Sequence, residues 1–287
     1  MAESSIKTDL GQALPENCGV CVINLDRRSD RWEDLRKEMF PHLRSREVQR
    51  ISAIEGVEIP GFGKMPYFRG RKRDRTWAAR AGCTLSHRKA LLHAQKAGWS
   101  HVLVLEDDIH MPVAPPDDLL LKLREQITAH SPDVFYFGFT DPVPPFKKCA
   151  SIGKKYALHQ VFGCNTAHAY LVSVKGINHI LSLLPSEQNI WRWLRRYRTV
   201  DRFYYRHLSP TLKVMAVCPT IIDQKAGFSD IMRKPVGEHA EKYSTTITSL
   251  NPTEAEFTKA LLKQAAAFAR ADKFDCIRGF WKSFRGF

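Results

Sequence analysis

An apolar segment that ends in three consecutive acidic residues places the strongest constraint on how this chain can fold. Residues 102–105 are Val-Leu-Val-Leu, a run typical of a buried strand. Glu106, Asp107 and Asp108 follow directly. Adjacent carboxylates raise one another's pKa unless a cation neutralises them. Because Mg²⁺ and Mn²⁺ prefer oxygen ligands, this acidic triplet predicts a divalent metal site. The alternative is that the triplet caps a helix beginning near Asp118 or forms a solvated turn.

Strands and helices alternate along the rest of the chain. Apolar segments predict strands at residues 19–25, 101–105, 133–138, 167–173 and 213–218. Apolar residues at helical spacing predict a helix that begins at a capping box from Asp30 to Glu33, and further helices at residues 82–98, 118–127 and 175–184. This alternation indicates an α/β fold with a mainly parallel central sheet. Ligands bind such sheets beyond the carboxyl ends of the strands, where the acidic triplet falls.

The composition fits one sizeable globular unit, because 44% of the 287 residues are hydrophobic and 26% are charged. We expect residues 1–18 to form a flexible leader and residues 19–250 to form one domain. Residues 251–287 are expected to form a basic amphipathic helical extension that starts at a capping box from Thr253 to Glu256. Residues 1–14 lack the apolar region of a signal peptide. We therefore expect a cytoplasmic protein, or one attached peripherally to the cytosolic face of a membrane.

The net charge of +14 indicates an anionic partner, and composition leaves nucleic acid, a membrane surface and a phosphorylated substrate open. Residues 64–80 carry seven basic residues against one acid and are predicted to form a cationic loop, either solvated or docking an anionic acceptor. A second patch consists of six arginines: Arg192, Arg195, Arg196, Arg198, Arg202 and Arg206. Nucleic acid is the weaker candidate because no nucleic-acid-binding module is recognisable. The C-terminal helix either lies on an anionic membrane or packs its aromatic face on the domain formed by residues 19–250.

Several short motifs occur in order along residues 20–231. They are Val22-Ile23-Asn24-Leu25-Asp26-Arg27-Arg28 with Arg31-Trp32, Ser52-Ala53-Ile54-Glu55-Gly56, Gly82-Cys83-Thr84-Leu85-Ser86-His87, Leu103 to Asp108, Tyr170-Leu171-Val172-Ser173, Val200-Asp201 and Ser229-Asp230. Each motif is weak alone, but together they resemble glycosyltransferase family 25. This family includes bacterial lipooligosaccharide galactosyltransferases and the catalytic domain of collagen galactosyltransferase. The resemblance implies a GT-A type nucleotide-sugar transferase fold.

The resemblance also implies an activity. It implies an inverting, metal-dependent glycosyltransferase with Mn²⁺ (or Mg²⁺) as cofactor and a UDP-sugar as donor, with UDP-galactose ahead of UDP-glucose. The implied acceptor is a saccharide or an anionic glycolipid such as lipooligosaccharide. The chain departs from the family pattern at Ala79-Arg80-Ala81, where the family often has Gly-Glu. The donor sugar, the linkage, the oligomeric state and the role of residues 64–80 stay open.

Roles for the acidic triplet and the first strand follow from the resemblance. Asp108 and Glu106 would ligate the metal, with Glu106 and Asp107 also holding the ribose and the water shell of the metal. Asn24 and Arg27, at the end of the first predicted strand, would meet the uridine or its phosphates.

The resemblance places a general base and a donor-sugar contact in the second half of the chain. Asp201 would deprotonate the acceptor hydroxyl as its oxygen attacks the sugar. The alternative for Asp201 is a surface ion pair with the neighbouring Arg198 or Arg202. Gly163 and Cys164 would line the donor sugar, and the alternative for them is a plain turn before a strand.

Three further residues have weaker assignments. His87 would contact phosphate or simply pack its helix, and Asp230 would position the donor or metal or cap a turn. GT-A enzymes often use a late histidine as a further metal ligand, and His239, the nearest candidate, is a poor one. The complete metal coordination therefore stays open. Two other classes also stay open: a non-catalytic carbohydrate- or nucleotide-binding protein of the same fold, and a basic nucleic-acid-binding protein.

Overall fold

A computed structural model describes residues 8–237 and 252–284. The strands are β1 Cys18–Asn24, β2 Val48–Ser52, β3 His101–Glu106, β4 Ile109–His110, β5 Val134–Gly138, β6 Pro142–Ile152, β7 Tyr156–Cys164, β8 Ala169–Ser173, β9 Val214–Cys218, β10 Asp223–Gln224, β11 Gly227–Ser229 and β12 Lys234–Val236. The α-helices are α1 Ser29–Glu38, α2 Lys72–Lys96, α3 Asp117–His130, α4 Val174–Leu183, α5 Ile190–Tyr197, α6 Val200–His207 and α7 Glu254–Phe284. Short 3₁₀ helices span Leu10–Ala13 and Phe40–His42.

Eight strands form the central sheet in the order β2-β1-β3-β8-β5-β9-β7-β6. The pairings of β1 with β2 and β3, and of β5 with β9, are parallel. Strand β8 lies antiparallel between β3 and β5, and β7 lies antiparallel between β9 and β6. Strands β1, β2, β3, β5, β6 and β9 therefore run in one direction and β7 and β8 in the other. The α/β fold class expected from the sequence, with a mostly parallel central sheet and a C-terminal helix, is confirmed.

The two faces of the sheet carry two separate apolar cores. Alternate residues of β1 divide between them, with Cys21 and Ile23 in the core that contains α2, α4, α5 and α6 and Val20 and Val22 in the core that contains α1 and α3. Every residue of β1 and of β5 is buried. Helices cover both faces, which explains why these strands are continuously apolar rather than alternating.

Helix α2 packs closely against the segment that follows β2. A Cβ atom on Gly82 would lie 2.2 Å from the carbonyl oxygen of Ile54, so only glycine fits there. One turn later, the Ser86 hydroxyl oxygen accepts the backbone N–H of Ile54 at 2.8 Å. The Gly and Ser of the Gly-Cys-x-x-Ser-His motif therefore fix the approach of α2 to the sheet.

The expectation of a flexible leader is wrong for the part of residues 1–18 that the structure describes. Leu10, Ala13 and Leu14 are fully buried in the core beside α3. The Asp9 carboxylate accepts the backbone N–H groups of Gly11 at 3.0 Å and Ser45 at 3.1 Å. The polarity of this segment suggested a loose leader, but its polar residues cap the short helix and tether the chain to the domain. Residues 1–7 lie outside the described residues.

The cationic loop expected at residues 64–80 is a loop only as far as Arg71, because α2 begins at Lys72. The single acid of the segment, Asp74, accepts the backbone N–H groups of Arg69 at 3.1 Å and Arg71 at 2.9 Å. This arrangement caps the first turn of the helix. The glycines and prolines that suggested a loop stop at Gly70, so the helix starts as soon as the sequence allows it.

The hairpin of β6 and β7 was not expected, because β6 contains three prolines, Pro142, Pro144 and Pro145. Proline lacks the N–H that a central strand needs. Strand β6 lies at the edge of the sheet, where only one side needs ladder partners. A strand at the edge can therefore contain these prolines without breaking the hydrogen bonds of the sheet.

Helix α7 confirms the expected C-terminal helix and packs part of its surface on the domain. Phe257 is 1% exposed, and the Phe268 ring lies 5.4 Å from that of Phe162 and 5.8 Å from that of Tyr205. Two acidic residues of α7, Asp272 and Asp275, pair with basic residues near and along α6. Among the described residues, no helix is long and apolar enough to cross a membrane.

Candidate functional site

A cavity of about 500 Å³ lies where β3 ends, and both expected centres of chemistry line it. The acidic triplet follows β3 directly, and Asp201 lies in the first turn of α6. The lining also contains four basic residues: Arg28, Arg31, Arg80 and Lys225. A cavity with carboxylates on its wall and cations around them can hold a polyanion together with a metal ion.

Arg31 supplies the nearest positive charge to the triplet. Its Nη1 lies 2.8 Å from Asp107 Oδ1 and 3.4 Å from Asp108 Oδ2, and its Nη2 donates to the carbonyl oxygen of Phe228 at 2.6 Å. Arg31 belongs to a motif of the sequence, but no role was predicted for it. Its place early in the helix after β1 was the available signal, because that turn faces the same sheet edge as the triplet.

A buried histidine, His87, contacts the Glu106 carboxylate and holds its orientation. His87 Nε2 lies 3.2 Å from Glu106 Oε1, and Nδ1 lies 2.9 Å from the Tyr170 hydroxyl. Burial opposes ionisation of Glu106, but the hydrogen bond and the charge of His87, with His168 and Arg31, lower its pKa overall. His87 is 1% exposed, so it orients Glu106. The expectation that His87 contacts phosphate is wrong for this geometry.

Asn24 holds Asp107 in the same way that His87 holds Glu106. Its amide nitrogen donates to Asp107 Oδ2 at 2.7 Å and to the carbonyl oxygen of Arg28 at 3.1 Å. Its amide oxygen accepts from Arg50 Nε at 3.0 Å. Asn24 is 1% exposed and lies behind the triplet, so its role in the structure is to orient Asp107. Its predicted contact with the nucleotide is not supported by this position.

Asp108 is the member of the triplet whose ionisation its surroundings oppose most strongly. Burial and the neighbouring Glu106 carboxylate raise its pKa to about 7, although Arg31 and a 3.3 Å hydrogen bond from Gln224 act in the opposite direction. Its side chain is 25% exposed to the cavity. A divalent cation would relieve this repulsion, so the donor set fits the expected Mn²⁺ or Mg²⁺.

The raised pKa of Asp108 predicts how stability depends on pH. Between the unfolded value of 3.8 and the folded value of about 7, the folded carboxyl binds a proton that the unfolded one does not, so stability falls as pH rises. We expect Asp108→Asn to stabilise the metal-free protein more at pH 8 than at pH 5, by on the order of 1 kcal/mol. Urea denaturation in a chelating buffer measures this difference. Adding Mn²⁺ at pH 8 should stabilise the wild type and not the variant.

Asp201 faces the cavity without the ion pair that its sequence neighbours suggested. Arg198 and Arg202 pair with Asp275 of α7 instead. Within the described residues, no basic group lies within ion-pair distance of the Asp201 carboxylate. Burial lowers the pKa of Arg80, and the charge of the Asp201 carboxylate opposes part of this lowering. The surface-ion-pair alternative for Asp201 is therefore wrong, and its role as a base stays a prediction.

Gly163 and Cys164 do not line the cavity, contrary to the expectation that they contact the donor sugar. They are the last residues of β7, and Cys164 is fully buried in the core. A Cβ atom on Gly163 would lie 2.5 Å from Tyr205 Cα, so this glycine serves the packing of β7 on α6. Thr166 and Ala167, just beyond the strand, line the cavity.

Arg27 and Asp230 meet at a smaller neighbouring cavity of about 160 Å³. Arg27 Nη2 lies 2.7 Å from one Asp230 oxygen, and Arg28 Nη1 lies 2.6 Å from the other. Burial raises the pKa of Asp230, but the hydrogen bonds and charges of both arginines outweigh it and lower the pKa. Arg27 also pairs with Glu55 at 2.6 Å. The structure brings these two predicted residues together, and their contact with a donor or metal stays a prediction.

A second group of potential metal ligands adjoins the triplet. Side-chain ligand atoms of Cys83, His87 and Glu106 lie within 4.8 Å of one another. A sulfur, nitrogen and oxygen set is typical of zinc rather than of Mn²⁺ or Mg²⁺. His239, the weak candidate for a late ligand, lies outside the described residues. The Asp108 carboxylate, which faces the cavity, fits the expected ion better.

Comparisons with known proteins give distant similarities in structure. No family model and no curated protein matches the sequence. The chain is similar to A197 from STIV, with a TM-score of 0.38 and 11% identity, covering 77% of this chain and 93% of that one. A glycosyltransferase involved in the glycosylation of the major capsid of PBCV-1 gives 0.37 and 9%, covering 75% and 96%. Mannose-1-phosphate geranyltransferase from Thermus thermophilus gives 0.29 and 10%, covering 72% and 76%. Similarities this low carry no argument about function.

Proposed function

We propose that the protein is an inverting, metal-dependent glycosyltransferase that uses a UDP-sugar donor. The observation that carries this proposal is that Asp201 and the acidic triplet line one cavity, although almost a hundred residues separate them in the chain. A transferase needs a base for the acceptor and a separate centre for the leaving diphosphate. The cavity offers an unpaired carboxylate for the first and a cluster of charged side chains for the second.

The charged side chains suit a nucleoside diphosphate. Arg28, Arg31 and Lys225 line the cavity and would contact the phosphate oxygens by charge-assisted hydrogen bonds. Asp108 and Glu106 would hold the Mn²⁺ or Mg²⁺, which would neutralise charge on the departing UDP. His87 and Asn24 keep Glu106 and Asp107 in fixed orientations, so the site is organised before the donor binds.

Asp201 would act on the acceptor. The carboxylate accepts the proton of the acceptor hydroxyl while that oxygen attacks the anomeric carbon from the face opposite UDP. The bond from the sugar to the diphosphate breaks as the new glycosidic bond forms, so the configuration at the anomeric carbon is inverted. Asp201 must have a free oxygen to do this, and the pairing of Arg198 and Arg202 with Asp275 keeps these two arginines from occupying it.

The donor sugar and the acceptor are proposed from the sequence resemblance. We propose galactose from UDP-galactose, transferred to a saccharide or an anionic glycolipid such as lipooligosaccharide. Residues 19–250 would form the catalytic domain and residues 251–287 an extension of it. The basic residues at 64–80 support an anionic acceptor, because they occupy the loop before α2 and the first turns of that helix as far as Arg80, which lines the cavity.

The proposal predicts release of UDP from a UDP-sugar in the presence of Mn²⁺. Asp108→Ala is expected to lower this release at least about a hundredfold, because several kcal/mol of stabilisation of the leaving group would be lost. A screen of UDP-sugars with a coupled assay for UDP measures it. Asp118→Ala removes an exposed acid of α3 and serves as the matched control, with unchanged release expected. Equal release from wild type and Asp108→Ala would contradict the role of the metal.

A non-catalytic nucleotide-sugar-binding protein is the second candidate. Arg31 already neutralises part of the triplet, so the cavity could bind a diphosphate without a metal. Calorimetric binding of a UDP-sugar without Mn²⁺, together with no UDP release with any acceptor, would favour this candidate over the enzyme.

A further inference from the structure

We infer that the outer face of α7 is an interfacial surface that binds an anionic lipid bilayer. This inference concerns where the protein is held rather than what it transfers, and it does not depend on the proposed function. It rests on three features of α7: the way its inner face is occupied, the separation of its charges, and the apolar side chains on its exposed face.

The inner face of α7 is already committed to the domain. Phe257 and Asp272 are each 1% exposed, and the Phe268 ring packs against Phe162 and Tyr205. Asp272 lies 2.7 Å from Arg206 Nη1 and 2.6 Å from His207 Nε2. These contacts fix how the helix is rotated about its axis, so the opposite face must look away from the domain.

The charges of α7 are separated between these two faces. Between Phe257 and Ile277 the only acidic residues are Asp272 and Asp275, and both pair with arginines of the domain. The basic residues of the same stretch are all exposed: Lys259, Lys263, Arg270 and Lys273. From Phe257 to Ile277 the outer face therefore carries four positive charges and no negative one, although Glu256 is exposed in the first turn, and an anionic surface attracts such a stretch.

Large apolar side chains share the outer face with these bases. Leu262 is 58% exposed, Ile277 is 55% exposed, and Phe274 is 73% exposed, the highest value for a large apolar residue in the described part of the chain. On such a face the apolar side chains can enter the membrane interface while the long lysine and arginine side chains reach the anionic headgroups.

Other occupants fit this face less well. A nucleic acid would use the four bases, but Leu262 and Ile277 would gain nothing from phosphate contacts. A second copy of the same face would bring like charges together, which opposes association. The anionic bilayer uses both the charges and the apolar groups, so the structure favours it.

Cosedimentation of the full chain with lipid vesicles tests the inference. We expect binding to vesicles of phosphatidylcholine with about one-third phosphatidylglycerol, weakened by salt, and at least about tenfold weaker binding to phosphatidylcholine alone. The double variants Lys263→Glu/Lys273→Glu and Phe274→Ser/Ile277→Ser should each lose at least about tenfold in affinity for the anionic vesicles. Circular dichroism melting shows whether each variant is folded.

The matched control is Lys96→Glu/Lys154→Glu, which changes the net charge equally at exposed positions outside α7. This control should retain most of the binding to anionic vesicles. Equal loss in the control and in Lys263→Glu/Lys273→Glu, or wild-type binding by Phe274→Ser/Ile277→Ser, would overturn the inference and indicate a general affinity for polyanions. Release of UDP with a soluble acceptor should not change in the α7 variants. Vesicle binding without any UDP release would contradict the proposed function alone.

Discussion

Replacing Asp201 with asparagine will lower the rate of sugar transfer to an acceptor by about 10²- to 10⁴-fold, the range that a general base contributes. Asparagine keeps the size of the side chain but cannot take up the proton of the acceptor hydroxyl. The KM for the donor should change little, because the donor diphosphate is bound by other side chains of the cavity. Steady-state kinetics with separate variation of donor and acceptor measures both quantities.

The control for this experiment is Asp118→Asn, an exposed acid whose ion-pair partner among the described residues is Lys122, one turn along α3. Its transfer rate should equal that of the wild type. Donor binding by Asp201→Asn, measured by calorimetry, should also be unchanged, which separates loss of the base from loss of the site. Full transfer activity in Asp201→Asn would remove Asp201 from the mechanism and leave the rest of the cavity to supply another base.

Replacing Asp272 with alanine will destabilise the protein by about 1–3 kcal/mol, because Arg206 and His207 lose a buried hydrogen-bonding partner, although Asp275 still lies beside Arg202 and Arg206. The Asp272 carboxylate is 1% exposed and binds Arg206 and His207, with Arg202 at 3.5 Å. Burial raises its pKa, but the hydrogen bonds and charges of His207 and Arg206 outweigh burial and lower the pKa below 3.8. This contribution to stability is therefore fully present above the unfolded pKa and is lost as pH falls through the folded pKa.

Urea denaturation of the full chain at neutral pH measures the effect of Asp272→Ala. Asp275→Ala should cost less, because that side chain is 22% exposed and water can replace part of the interaction. Asp118→Ala should stay within about 0.5 kcal/mol of the wild type. A loss for Asp272→Ala as small as that for Asp118→Ala would show that the carboxylate and its cations do not hold α7 to the domain.

The elements that could be predicted from the sequence are those whose signal is local. Strands β1, β3, β5 and β8 lie within about two residues of their predicted positions, because continuous apolar runs are typical of strands covered on both faces. Strand β6 was missed, because its prolines argue against a strand and its place at the sheet edge depends on the rest of the fold. The start of α2 was missed for a similar reason, since Gly70 ends the loop signal only two residues before the helix.

In the candidate site, too, features with a local sequence signal were predicted and features that depend on the rest of the fold were not. The triplet was predicted from its position at the end of an apolar strand and Asp201 from the family resemblance, and the structure places both on one cavity. The pairing of Arg31 with Asp107 joins two elements that are distant in the chain, and no local pattern predicts such a pair. His87 was assigned either a phosphate contact or a packing role from the resemblance, and its burial depends on how α2 packs against β8 and α6.

Helix α6 is eight residues long, which is about 12 Å at 1.5 Å per residue. Its first turn holds Asp201 in the cavity, and its last turn, with Arg206 and His207, is gripped by Asp272 of α7. Because so short a helix is rigid along its length, the contacts of Asp272 with its last turn help to fix the position of Asp201 in its first turn. The C-terminal helix therefore supports the position of the candidate base in the proposed enzyme. Cutting the chain before Glu254 would remove the contacts that hold the last turn of α6.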